Sequence, residues 1–371
     1  MTSCNMYQLE RQKQTITIEG KTYYPQEFNK GKESALAKQS EFHHDLYLFL
    51  QDWFSDSPHL KVQTSGSTGT PKEMLVEKEK MMQSAKLTCT FLGLQKNDTA
   101  LLCMSLNYIA GKMLVVRALI AELNLYPIAP SGNPLRDIDM HLKFAAMIPL
   151  QVYNSLQDSI EAERLSQIDN LIIGGGAIDN QLQELLKPLP NKIYSTYGMT
   201  ETLSHIALRR INGNEASEYY SPFSSVNISL SEDNALIINA PLVSNERLYT
   251  NDIAKIHKDG SFQIIGRKDN IINSGGIKIQ IEEVENLLKP VIDCPFAITS
   301  IPDPKFGEAI VLVIESAIDE KLVAKALPPY YLPKKTIIIK AIPLTETGKI
   351  SRQELKQLVE IKIKEEIKRE E

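Results

Sequence analysis

The sequence predicts an α/β protein in two unequal parts. The first is a large layered α/β domain with an antiparallel β region at its end, and the second is a small, mobile α+β domain. Three observations predict this. From about residue 60 to 200, short apolar runs alternate with helical stretches, as in layers of strand and helix. From 225 to 265 the pattern becomes short runs divided by turn residues, as in an antiparallel meander. The charged run Gly266-Arg267-Lys268-Asp269-Asn270 then separates these from a final segment of mixed pattern.

Residues 15–23 alternate around a turn signal and predict a hairpin. Residues 34–54 read as helix, with Leu36, Leu46, Leu48, Phe49 and Trp53 as apolar positions. Helices are predicted over 77–92 and 110–123, and strands over 100–104, 125–128, 145–148 and 170–173. The meander strands fall at 226–230, 235–239, 253–257 and 261–265. Beyond 270 come a helix near 280–289, a strand at 309–314, a helix near 319–327, a strand at 336–340 and a terminal helix from 351. The domain boundary is placed at 266–270, giving domains of 1–266 and 267–371.

Composition narrows the function. The chain has 371 residues and a net charge of −5, which suits about two domains and argues against an electrostatically driven nucleic-acid binder. No apolar run reaches the roughly 18 residues of a membrane span, and the start shows no secretory leader, so a cytoplasmic protein is expected. Cys4, Cys89, Cys103 and Cys294 are scattered, which fits reduced thiols rather than a disulfide framework or a zinc site.

Six segments carry chemistry. In Thr64-Ser65-Gly66-Ser67-Thr68-Gly69-Thr70-Pro71-Lys72, glycines allow close backbone approach, hydroxyls donate and a lysine adds charge. That combination suits a polyphosphate, yet the Walker pattern cannot be drawn through it. Gly174-Gly175-Gly176-Ala177 ends an apolar strand, where a flat ligand or a tight turn would fit equally. Tyr197-Gly198-Met199-Thr200-Glu201 offers a ring for a base and a hydroxyl and carboxylate for Mg²⁺. Asp252 follows a predicted strand and could accept from ribose hydroxyls or simply sit in a turn. The run from Gly266 to Asn270 is a hinge candidate, and Ser274-Gly275-Gly276 follows it. Lys349 follows a glycine-containing turn near the end.

In this order the six segments resemble the adenylate-forming superfamily of acyl- and aryl-CoA ligases, peptide-synthetase adenylation domains and luciferases, over roughly residues 60–355. The resemblance implies that ATP and a carboxylate form an acyl-adenylate, which a thiol then attacks. It places Thr64, Ser65, Gly66, Ser67, Thr68, Gly69 and Lys72 over the phosphates. Gly175, Gly176, Ala177, Tyr197, Gly198 and Met199 line the adenylate, with Tyr197 stacked on adenine. Thr200 contacts the α-phosphate, Glu201 binds Mg²⁺, and Asp252 and Arg267 hold the ribose. Lys349 bridges carboxylate and α-phosphate as the catalytic cation, together with Thr200 and Glu201. Asp269 is the hinge about which Ser274, Gly275 and Gly276 replace Lys349 for the coenzyme A step. ATP, Mg²⁺ and coenzyme A are the implied cofactor and co-substrates. Nucleic acid is not an implied partner, and the oligomeric state stays open, a homodimer included.

The acyl site is implied to involve Asn107, Tyr108, Arg117 and Gly175. Tyr108 stands where many members have histidine, so it can gate and donate but cannot serve as a base near pH 7. Arg117 lies nine residues later on a mostly apolar helix, where it either reaches the surface at a helix end or meets an anion. Its spacing resembles that of the o-succinylbenzoate–CoA ligases of menaquinone biosynthesis, which hold a second carboxylate there. Another aryl- or acyl-CoA ligase, an enzyme loading a carrier protein, or an inactive adenylate-binding protein are the alternatives. The early phosphate motif at Thr64 implies a shortened N-terminal subdomain relative to the superfamily.

Overall fold

A computed structural model describes residues 7–29, 34–63, 73–345 and 350–370. The phosphate motif 64–72 and Lys349 lie outside the described residues, as does Cys4.

The chain opens with a hairpin, β1 (Ile16–Ile18) and β2 (Lys21–Tyr23), turned by Glu19 and Gly20, both at positive φ. The predicted helix at 34–54 divides. A 3-10 turn covers Leu36–Lys38, and α1 (Glu41–Phe54) begins only after Ser40, whose side chain accepts from the His43 amide. An antiparallel pair follows, β3 (His59–Gln63) and β4 (Glu73–Glu77), with Gln63 opposite Glu73. Then come α2 (Lys78–Leu92), β5 (Thr99–Leu102), α3 (Ile109–Ala121), β6 (Asn124–Pro127) and β7 (Phe144–Met147). Next are α4 (Pro149–Gln157), α5 (Ser159–Ser166), β8 (Asn170–Ile173), α6 (Asn180–Leu186), β9 (Lys192–Gly198), β10 (His205–Arg210) and β11 (Ser221–Pro222).

The main sheet runs β11-β10-β9-β8-β7-β5-β6-β1-β2. Its six strands from β9 to β1 are parallel, and the outer strands are antiparallel. Side chains alternate between its faces. Ala100, Leu102, Ala146 and Ile172 pack with α1, α2 and α3, whereas Leu101, Cys103, Ala145, Met147, Leu171 and Ile173 pack with α4, α5 and α6. Each buried aliphatic side chain contributes about 1.5–3 kcal/mol. Helix α3 is buried on nearly every side, so its burial shows no amphipathic stripe.

The meander is β12 (Asn227–Leu230), β13 (Ala235–Asn239), β14 (Leu248–Ile256) and β15 (Phe262–Arg267). Strand β14 starts five residues earlier than the sequence suggests, so Asp252 lies within a strand rather than after one. The register of β14 with β15 shifts at Ile253/Ala254, next to Asp252, and such an irregularity obscures strict alternation.

The remaining sheet contains β16 (Ile271–Ser274), β17 (Ile277–Gln280), β18 (Phe296–Asp303), β19 (Gly307–Ile314) and β20 (Lys335–Ile338). It is joined by α7 (Ile281–Leu288), α8 (Glu320–Ala326) and α9 (Arg352–Glu370). Buried members of two apolar clusters fall between Tyr7 and Phe262, and those of two others between Ile272 and Val359. No helix among the described residues is long and apolar enough to cross a membrane.

Candidate active site

Segments distant in sequence leave the carboxyl edge of the main sheet side by side, where open α/β sheets bind ligands. Strand β8 runs into Gly174-Gly175-Gly176-Ala177, and its parallel neighbour β9 ends at Tyr197-Gly198. Strand β5 leads into Ser105–Gly111, the segment expected to receive the acid.

The glycines have separate local causes. A Cβ on Gly174 would lie 2.5 Å from Thr196 Oγ1, and Gly175 adopts φ +80°. A Cβ on Gly198 would lie 2.3 Å from the Ser204 carbonyl oxygen and 2.5 Å from His205 Cα, so the chain of β10 can pair there only against a bare backbone. Gly175 and Ala177 are exposed. Met199 precedes a 3-10 turn at Thr200–Thr202, and its amide donates to Thr202 Oγ1. Glu201 is exposed on this turn, with Thr200 beside it.

Three residues from three motifs converge. The Tyr197 hydroxyl donates to Asp252 Oδ2 at 2.6 Å, and Arg267 Nη1 donates to Asp252 Oδ1 at 3.0 Å. Phe262 meets the Tyr197 ring edge-on at 5.2 Å. Burial, then the Asp252 charge, raises the Tyr197 pKa, so the phenol stays protonated and can only donate to the carboxylate. Burial lowers the Arg267 pKa, but Asp269 and Asp252 together outweigh that and raise it. Asp269 accepts from Arg267 Nη2 at 3.0 Å and from Asn251 Nδ2, and Lys268 pairs with Asp233 at 2.5 Å. Gln280 Nε2 donates to the Arg267 carbonyl and crosses Gly266, where any Cβ would lie 2.4 Å from it. The predicted hinge residue therefore sits in a contact network that also includes Asn251, Asp233 and Gln280, which the sequence did not single out.

Helix α3 holds a cation of another kind. Arg117 is only 2% exposed, in the body of α3, which excludes the surface position at a helix end. Its Nη2 donates to Ser204 Oγ at 2.6 Å, and its Nε has no partner among the described residues. No carboxylate among the described residues forms an ion pair with it. Burial lowers its pKa to about 10, so it remains charged near pH 7.

Nearby, Lys61, Val62, Gln63, Glu73, Asn107 and Lys112 line a polar cavity of about 150 Å³. Lys112 Nζ donates to the Lys61 carbonyl at 2.7 Å, and Tyr108 forms a parallel bridge with Gln63. Lys112 escapes notice in the sequence because one lysine in a helix's first turn ordinarily reads as a solvated charge.

Ser274 ends β16, and Gly275 (φ +60°) and Gly276 (φ +84°) form the two-residue turn into β17, a conformation that favours glycine. Described residues resume on either side of 346–349. Leu344 bridges Ile350, and Arg352 clasps Glu285 with bonds of 2.6 and 2.8 Å. Cys89 and Cys103 are buried with thiol pKa values pushed up to about 12, chiefly by burial, which leaves them poor nucleophiles. Cys294 is partly buried.

The chain is similar to known proteins over most of its length. A protein of Listeria monocytogenes serovar 1/2a named 2-succinylbenzoate–CoA ligase is 25% identical over 346 residues, covering 83% of this chain and 72% of its own. A Geobacillus protein of the same name is 25% identical over 350 residues, covering 84% and 71%. Among solved structures, an acyl-CoA synthetase (AMP-forming)/AMP-acid ligase II-like protein from Dyadobacter fermentans is 33% identical with a TM-score of 0.61, covering 86% of this chain and 95% of that one. The o-succinylbenzoate CoA synthetase of Bacillus subtilis, in complex with its acyl-adenylate, shares the fold at 21% identity and a TM-score of 0.68, covering 80% and 68%. The AMP-binding enzyme family matches residues 8–239, well over half of the chain, and the chain belongs to that family.

Proposed function

We propose that the chain is an AMP-forming acid–thiol ligase that converts o-succinylbenzoate to its coenzyme A thioester by way of the acyl-adenylate. One observation carries the choice of acid. Arg117 is a buried guanidinium with an unpartnered Nε, placed on the helix that continues the acyl segment. Burying a cation alone is costly, and a substrate carboxylate would repair the deficit through the planar fork of arginine. The names of the Listeria and Geobacillus relatives support the same acid.

In this reading Thr64–Lys72 hold the phosphates of ATP, and Gly175, Gly176, Ala177, Tyr197, Gly198 and Met199 bound the adenosine. Asp252 and Arg267 take the ribose hydroxyls. Asn107, Tyr108, Gly175 and Arg117 receive the acid, with Tyr108 as gate and donor. Thr200 contacts the α-phosphate, and Lys349 stabilises charge that develops between carboxylate and phosphate. No group of three metal-binding side chains occurs among the described residues. A single exposed carboxylate, Glu201, suits Mg²⁺ that is held mainly by nucleotide phosphates and water. When bound, the ion neutralises phosphate charge. Residues 1–266 and 267–371 form the two domains, with Asp269 as hinge and Ser274-Gly275-Gly276 facing coenzyme A in the second step.

The test is pyrophosphate release across a panel of acids, with ATP, Mg²⁺ and coenzyme A present. Turnover with o-succinylbenzoate well above that with benzoate or fatty acids is expected. Robust activity with benzoate or fatty acids and none with o-succinylbenzoate would overturn the assignment in favour of another acyl- or aryl-CoA ligase.

A further inference from the structure

Behind Arg117 lies a buried chain of hydrogen bonds with a readable direction. Thr88 Oγ1 donates to the Ser84 carbonyl, one turn back in α2, at 3.4 Å. It therefore accepts from His205 Nε2, 3.0 Å away. This assigns the proton to Nε2 and leaves His205 Nδ1 as an acceptor facing Ser204 Oγ at 3.4 Å. Ser204 Oγ in turn accepts from Arg117 Nη2. With a neutral imidazole every member of this chain has a partner of the right kind. Burial, then the nearby Arg117 charge, keeps the His205 pKa well below the ordinary histidine value.

The backbone is bent to deliver Ser204. Leu203 is buried, with φ +64° and ψ −35°, and the Ser204 amide donates to the Thr202 carbonyl at 2.7 Å. This is a three-residue γ-turn of the rare, strained hand, here occupied by a bulky residue. It joins the turn carrying Thr200 and Glu201 directly to Ser204 and His205. Gly198 keeps the space free for the same backbone.

We infer that Ser204 and His205 are specificity-determining positioning residues, holding the Arg117 guanidinium so that its unpartnered edge receives the distal carboxylate of an aromatic dicarboxylate. The inference rests on the proposed role of Arg117. Neither residue need touch the reacting carboxylate; they act by fixing one edge of the fork. With Nη2 anchored on Ser204, Nε and the rest of the guanidinium are presented in one orientation, and the acid is bound without first reorganising a buried cation.

The experiment compares kcat/KM for o-succinylbenzoate with that for benzoate in the full-length enzyme. His205→Leu and Ser204→Ala should each lower this ratio by about tenfold or more, through KM for the dicarboxylate rather than kcat. His205→Asn, whose amide oxygen can stand near the Nδ1 position, should recover most of the ratio. A merely structural histidine would change activity with both acids alike. If His205→Leu does not fold, Ser204→Ala reads the same chain without emptying the ring site. A wild-type ratio in folded Ser204→Ala or His205→Leu, with a collapsed ratio in Arg117→Met, would overturn the positioning role alone. A wild-type ratio in Arg117→Met would overturn the reading of Arg117 and this inference with it.

Discussion

Two arginines of this protein live in opposite circumstances. Arg267 has two carboxylates, Asp252 and Asp269, each at 3.0 Å, and Tyr197 completes the cluster through Asp252. Arg117 has a serine hydroxyl and an unpartnered Nε, and it is the more deeply buried of the two. The charge of the first is more than balanced by its two carboxylates within the protein. The second has no compensating carboxylate among the described residues. Buried polar groups in folded proteins are nearly always satisfied, so an exception points to something the chain alone does not supply.

The contrast can be broken at either end. The largest effect is expected at Arg117. Arg117→Met should reduce kcat/KM for o-succinylbenzoate by the roughly 2–5 kcal/mol that follows from stripping a partner from a desolvated charge. It should leave the melting temperature unchanged or raised, because apolar packing often replaces a buried charge at no cost to stability. A sharp fall in melting temperature would show that Arg117 is a structural cation after all.

Asp252→Ala should behave in the reverse way. It leaves Tyr197 without its acceptor and Arg267 with Asp269 alone, at a cost of about 1–3 kcal/mol in denaturant unfolding, and it should raise KM for ATP. Unchanged stability would mean that the cluster is held by its rings rather than by the carboxylate.

Acid titration gives a smaller effect. Unfolded histidine takes up a proton near pH 6.5, whereas folded His205 does so only at much lower pH. The unfolded state therefore binds more protons below that point, and stability falls on acidification by at most about 1.4 kcal/mol per pH unit from this residue. His205→Asn should remove that component from the stability–pH curve. An identical curve in the variant would place the titration elsewhere.

The smallest effect is expected at Lys268. Its pair with Asp233 is about half exposed on both sides, where water and salt screen such contacts. Lys268→Ala should leave the unfolding midpoint almost unchanged. A larger loss would mark the segment as a structural joint rather than a lightly held one.

What the sequence made legible follows from how local each signal is. The runs at 170–173 and 235–239 declare themselves, because apolar stretches bounded by turn residues need no distant partner. The pair β3 and β4 is harder to see, since its strands of five residues are interleaved with His59, Lys61, Glu73 and Glu77. The glycines at 275 and 276 were legible as a loop, but only the backbone shows that positive φ in a hairpin requires both. The meeting of Tyr197 with Asp252, 55 positions apart, belongs to tertiary structure. The burial of Arg117 was equally out of reach, because a helix enclosed on all sides carries no stripe to tell inside from outside. Ser204 and His205 had one faint signal, a histidine entering a strand just past the carboxylate turn, and that pattern has many ordinary explanations.

The bridge between Gln63 and Tyr108 has a further consequence when combined with the Lys112 bond to Lys61. Both ties join β3, which leads toward residue 64, to the start of α3. On the proposed reading, nucleotide and acid then bind to one mechanical element rather than to two independent ones. Thermodynamic reciprocity requires that any gain in affinity that ATP confers on the acid is returned by the acid to ATP in equal measure. Equilibrium titrations of each ligand with a non-reacting analogue of the other should give matching factors, and cutting the tie with Lys112→Met should bring both factors toward unity together.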